Sequence, residues 1–132
     1  MDRSLGDGGM PLLAQLGLHF ERYGEGFAEA TWTPTVLACN PVGGVHGGVY
    51  GVIFDAAMNF AVNSALESGD RCTTLDLSYQ IIRAPEAGAA LSVRSDVVRA
   101  ARSVAFVEAR ITDAAGEAVA RGAATWNVRR KT

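Results

Sequence analysis

The sequence predicts an α+β domain in which a curved antiparallel sheet wraps around one long helix. Three observations predict it. An apolar run free of proline, Gly48 to about Leu66, has the length of a helix. The residues after Gly69 fall into four segments that alternate apolar and polar side chains with a period of two, and two shorter segments of the same kind precede the run. A single helix that is apolar on nearly every side must be enclosed by its sheet. The chain has 132 residues, enough for one core and one domain.

Taken in order, residues 1–9 are polar and glycine-rich and read as a mobile tail, with the domain spanning 10–132. Met10 to Leu16 reads as a short helix after Pro11. Leu18–Tyr23 and Phe27–Val36 read as strands joined by the turn Gly24-Glu25-Gly26, with Pro34 marking an edge or the end of pairing. The long helix follows; eighteen residues at 1.5 Å each span ~27 Å. Its polar residues Asp55, Asn59 and Asn63 recur every fourth position on one ridge, which Gly51 and Gly47 continue backwards. In Thr74–Ile81, plain alternation puts Leu75, Leu77, Tyr79 and Ile81 on one face and Thr74, Asp76, Ser78 and Gln80 on the other. Ala90–Arg99, Ser103–Asp113 and Glu117–Arg129 complete the sheet, with turns at Arg99–Arg102 and Asp113–Ala118. A sheet curled round one helix is the hotdog arrangement, and its uncovered strips suit a second copy, so a homo-oligomer, dimer or tetramer, is expected.

Composition excludes several functions. A net charge of −2 supplies no basic face for nucleic acid. Asp55 and Asn59 interrupt the longest apolar run, which is too short to cross a membrane. Cys39 and Cys72 are far apart and form no metal-ligand or redox spacing; a Cys39–His46 nucleophilic pair is the one alternative they offer. The first ten residues lack the apolar stretch of a signal peptide, so a cytoplasmic protein is expected.

The chemistry is expected at Asp55. A carboxylate among Ile53, Phe54, Ala56 and Ala57 is expensive to desolvate unless it has a partner or a task. His46-Gly47-Gly48 stands where the helix begins, and a helix start exposes unpaired N–H groups able to stabilise an oxyanion. Gly47 and Asp55 are two turns apart, roughly 12 Å of helix rise. Donor and acid acting on one carbonyl must therefore come from two chains.

The spacing N-x5-H-G-G-x6-D, formed by Asn40, His46, Gly47, Gly48 and Asp55, resembles the signature of the PaaI-like hotdog thioesterases, a group related to the 4-hydroxybenzoyl-CoA thioesterases. The resemblance extends from about Leu16 to Val128 and includes TLDLSYQIIRAP and the hairpin segment that begins VVRAARS. It implies hydrolysis of acyl-CoA, with CoA as part of the substrate and neither cofactor nor metal. Asp55 would be nucleophile or general base, and the Gly47 N–H would polarise the thioester oxygen. Asn40 would help hold that oxygen or the water, and His46 would orient the loop or touch substrate. A hydroxyl at the start of the next strand, Thr74 or else Thr73, would assist the water. Gly48, Tyr50 and Asn59 would line the acyl site, and a polar acyl group would suit Asn59 and Asn63. Arg83, Arg102 and Ser103 are the expected CoA contacts, with Arg99, Arg129 and Arg130 as further candidates. Two other readings stand beside this one: an enoyl-CoA hydratase or dehydratase using His46 with Asp55, and an acyl-CoA-binding module without catalysis.

Overall fold

A computed structural model of the chain describes residues 5–132. Helix α1 (Pro11–Leu16) leads into strands β1 (Leu18–Gly24) and β2 (Phe27–Trp32). A single 3-10 turn (Val36–Ala38) and a loop follow, then helix α2 (Gly47–Ser64) and strands β3 (Arg71–Ile81), β4 (Leu91–Ala100), β5 (Val104–Thr112) and β6 (Ala118–Arg129). The six strands form one antiparallel sheet in the order β1-β2-β4-β5-β6-β3. This is the hotdog arrangement predicted from the sequence.

The sheet bends where residues are inserted into the ladders. Glu21, Leu75 and Val98 each stand as an extra residue between paired neighbours, and a β-bulge of this kind bends its strand and increases local twist. The concave face is lined with small side chains, among them Ala28, Ala30, Ala105, Ala109, Ala120 and Ala124, so α2 can settle close to the strands. From the helix, Tyr50, Ile53, Phe54, Ala57, Met58, Phe60, Ala61 and Val62 are buried against them. Gly122 of β6 marks the closest approach: a Cβ there would lie 3.4 Å from the Phe54 ring and 3.2 Å from the Ser78 carbonyl oxygen.

Three expectations need correction. The second strand stops at Trp32 rather than Val36, because Pro34 has no N–H for the ladder and the chain turns into the 3-10 segment. The helix is not enclosed on all sides: Gly48 is exposed and Gly51, Val52, Asp55, Ala56, Asn59 and Asn63 are only half-buried, leaving an open strip along it. The tail reading of residues 1–9 also changes. Residues 1–4 lie outside the described residues, but Gly6 pairs with Phe20 in both directions, its carbonyl accepting at 2.7 Å. Gly8, at φ +67°, is buried against Phe60 with no room for a Cβ.

One carboxylate ties the start of β3 to the end of β6. Asp70 accepts from the Lys131 N–H (2.9 Å), the Glu67 N–H (3.2 Å) and the Arg130 guanidinium (3.2 Å). The Lys131 N–H foremost, then the Glu67 N–H and Arg130, hold its pKa below the ordinary value.

Candidate active site

Asp55 is half-buried on the open strip of α2 and accepts a hydrogen bond from Thr74 Oγ1 at 2.5 Å. Plain alternation places Thr74 on the outer face with Asp76; the structure turns it inward. Leu75 is the reason. Thr74 pairs with Trp126 and Asp76 with Thr125, so Leu75 has no partner of its own and lies 59% exposed. Its insertion brings Thr74 onto the same face as Leu77 and Tyr79, towards the helix. Of the two threonines considered, Thr74 meets the acid, while Thr73 is exposed on the other face.

The loop before α2 is braced by Asn40. Its side-chain oxygen accepts from the N–H groups of Val42 (3.1 Å) and Gly44 (3.2 Å), and its backbone N–H donates to the Gly44 carbonyl at 2.8 Å. Two donors fill the oxygen's two lone pairs, so Asn40 has only its NH₂ end to offer a substrate, as a donor. His46 is the residue before the helix; its N–H donates to the Ala38 carbonyl and its ring lies beside Gly48. Among the described residues, no hydrogen bond or ion pair joins the exposed His46 ring to Asp55. The Val49 N–H turns back to the His46 carbonyl at 3.0 Å, which leaves the Gly47 and Gly48 N–H groups without an acceptor inside the helix.

Sequence reasoning assigned no role to Tyr79. Its hydroxyl donates to the Gly47 carbonyl at 2.8 Å, and its ring touches the place where a Gly51 Cβ would be, 3.3 Å away. The tyrosine thus fixes the peptide unit that begins the helix, and its inward register was the available signal. Tyr50 is a correction. It is 1% exposed beneath the helix, packed edge-on against Trp32 at 5.4 Å and stacked near Tyr79 at 6.4 Å, which leaves it almost no surface to offer a substrate. Burial pushes its phenol up to about 12, with the neighbouring Cys39 as the lesser cause.

A groove of about 570 Å³ runs along the open strip. Gly48, Gly51, Val52, Asp55, Ala56, Asn59 and Phe60 form its floor, Leu77 one side, and Gly8, Met10, Leu12 and Leu13 the other. Asn59 thus faces this groove. Its side-chain oxygen accepts from Asn63 Nδ2 at 3.1 Å, and its carbonyl accepts from the same group at 2.8 Å. The expected CoA contacts are dispersed. Arg83 is ion-paired with Asp113; Arg102 and Ser103 are exposed at the β4–β5 turn, and Arg130 donates to the carbonyls of Ala101 and Arg102. Among the described residues no cluster of His, Cys, Asp and Glu could hold a metal, and no helix is long and apolar enough to cross a membrane.

Comparison with known proteins gives the site its family. The model of the thioesterase superfamily matches residues 42–120, more than half of the chain and inclusive of Gly47, Asp55 and Thr74. No curated protein matches the chain by sequence. Among solved structures, a phenylacetic acid degradation-related protein from Ralstonia eutropha JMP134 is 30% identical, with 89% of each chain covered and a TM-score of 0.80. The PaaI protein of the Escherichia coli phenylacetic acid degradation operon is 23% identical, covering 93% of this chain and 86% of that one at a TM-score of 0.83. A hypothetical thioesterase from Streptococcus pneumoniae TIGR4, solved with coenzyme A, is 21% identical, with 89% and 93% covered and a TM-score of 0.80. The hotdog sheet and these matches agree: the chain belongs to the thioesterase superfamily and is a hotdog-fold thioesterase of the PaaI type.

Proposed function

We propose that this protein hydrolyses acyl-CoA thioesters to free acid and CoA, with Asp55 as the group that drives the attack. The observation that carries this reading is the Asp55–Thr74 hydrogen bond beside an apolar groove. One oxygen of the carboxylate is held by Thr74 and the other is free to act. As general base, it takes a proton from water while the water oxygen bonds to the thioester carbon. As nucleophile, it bonds to that carbon itself, and water then hydrolyses the mixed anhydride. In either route the carbonyl oxygen gains negative charge, the C–S bond breaks, and the CoA thiolate leaves and takes up the proton. N–H donors aimed at the developing oxyanion, from Gly47 and the Asn40 NH₂, are worth roughly 3 kcal/mol each. The bound coenzyme A of the Streptococcus pneumoniae relative supports CoA as the carrier.

The donor is supplied by a second copy. Strand β3 lies at the edge of the sheet, eleven residues long, with one side unpaired. Along it, Thr74 holds Asp55 and Tyr79 holds Gly47. If two β3 strands pair antiparallel with Thr74 opposite the partner's Tyr79, Asp55 is brought towards the partner's Gly47. The register that closes the edge also completes the site, twice per dimer.

Purified protein incubated with a panel of acyl-CoAs and a thiol reagent is expected to release free thiol, at a rate that falls by about 10²–10⁴ in Asp55→Ala. Thiol release unaffected by Asp55→Ala would sink the proposal. Addition of water to an enoyl-CoA without thiol release would support the hydratase, and binding without turnover would support the binding module.

A further inference from the structure

We infer that the segment Gly8–Leu13 is a specificity element: it forms one wall of the acyl pocket and selects uncharged, apolar acyl groups. The inference rests on the thioester-hydrolase reading and names the substrate class of that same site. Four of the twelve residues lining the groove beside Asp55 belong to this segment: Gly8, Met10, Leu12 and Leu13. The segment is anchored rather than loose. Gly6 pairs with Phe20, Leu13 and Leu16 are buried, and Gly8 presses on a Phe60 ring that is itself stacked on Phe20 at 3.9 Å. Against that fixed backing, Met10 and Leu12 remain 45% and 40% exposed, two large apolar side chains left in the open at the edge of the groove. An acyl chain lying along the strip would cover them.

The rest of the lining states what the chain can be. Apart from Asp55 and Asn59 every described residue of the lining is glycine or apolar. One of the two lone pairs of the Asn59 oxygen is already taken by Asn63, so the described lining offers a hydroxylated acyl group few polar partners. Among the described residues no lysine or arginine lines the groove, and the one charged group in its lining is the Asp55 carboxylate. An acyl group ending in a carboxylate would be desolvated next to a like charge, with nothing to offset it.

The test uses S-alkyl-CoA thioethers, which bind and do not react, from ethyl to octyl, with the dissociation constant measured by calorimetry on the whole protein. Each methylene buried against an apolar wall is worth about 0.8 kcal/mol, close to a fourfold gain in affinity. Wild type is expected to show a gain of at least twofold per methylene over part of the series, and no gain for a thioether with a terminal carboxylate. In the double variant Met10→Ser/Leu12→Ser, ethyl-CoA is expected to bind as in wild type while the gain per methylene falls to less than half. Both side chains are partly exposed, so the melting temperature is expected to hold. An equal gain in both proteins would overturn the inference, as would a uniform loss that includes ethyl-CoA. A change in oligomeric mass with an unaltered gain would likewise overturn it, by making the segment a contact between copies. Turnover assays on the same samples separate the two readings. Alkyl selectivity without hydrolysis removes the enzyme and leaves the pocket, whereas hydrolysis without alkyl selectivity removes only the wall.

Discussion

Tyr50 brings a hydroxyl into the core, where it is fully buried and has no hydrogen-bond partner among the described residues. A buried polar atom left unpaired is destabilising by about 1–3 kcal/mol, so Tyr50→Phe is expected to raise stability at neutral pH by that order, measured by urea denaturation. The same residue sets an alkaline limit. The folded phenol, raised to about 12 from 10.0, stays protonated while that of the unfolded chain ionises. The unfolded state thus binds fewer protons, and stability falls as pH rises through that window, by roughly 3 kcal/mol in all. Tyr50→Phe should abolish this part of the decline; an identical alkaline slope in both proteins would refute it. The position was legible in the sequence had helical angle been weighed. Tyr50 lies five residues before Asp55, about 140° around the helix, and belongs to the buried side. Asp55 itself could be singled out because its apolar neighbours made it conspicuous. The chain answers that conspicuousness with an open strip and a threonine rather than with full burial.

At the scale of the element, β3 decides whether the acid has its partner. Most of the fold could be read from alternation and from turn residues: four strands after the helix, the hairpin at Asp113–Ala118, and the helix itself to within two residues at either end. The Asp113 carboxylate, accepting from the Ala115 and Glu117 N–H groups, shows why that turn was so visible. The bulge at Leu75 was not visible. An inserted leucine keeps the apolar count of the strand intact, and nothing in its side chain marks it as the residue that will face outward; the ladder with β6 decides that. Leu75 is the one unpaired residue of this ladder, and its insertion keeps Thr74 on the face of Leu77 and Tyr79, towards α2. Thr74→Val, which removes the hydroxyl and keeps the shape, is expected to reduce thioester hydrolysis by at least tenfold while circular dichroism still reports the sheet, with a loss of about 1.5–3 kcal/mol attributable to the missing bond to Asp55. Full activity in Thr74→Val would show that the Thr74 hydroxyl is dispensable.

For the whole molecule, the proposed sharing of each site between two copies makes a strong prediction. Gly47→Pro removes the proposed oxyanion donor with little other disturbance. Proline suits the first position of a helix, His46 before it is already extended (φ −64°, ψ 133°), and the nearest side-chain atom to a Cβ at this position is 3.7 Å away. Gly47→Pro and Asp55→Asn are each expected to be inactive alone. Refolded together in equal amounts, they should recover about a quarter of wild-type activity, because half the dimers are mixed and each of those holds one intact site. No recovery would place donor and acid in the same chain. Neither the pairing of β3 nor its register was legible in the sequence, since an edge strand reads like any other until its neighbours are known.

The Asp70 clasp has a bearing on acid tolerance. Its carboxyl titrates below the ordinary value, so the clasp holds above that range and is lost only as pH falls through the lowered pKa. When it opens, the stem of β3 is released from the carboxyl-terminal end of β6, four residues ahead of the hydroxyl that grips Asp55. Strong acid therefore reaches the proposed site from a distance, by loosening the strand that aims Asp55.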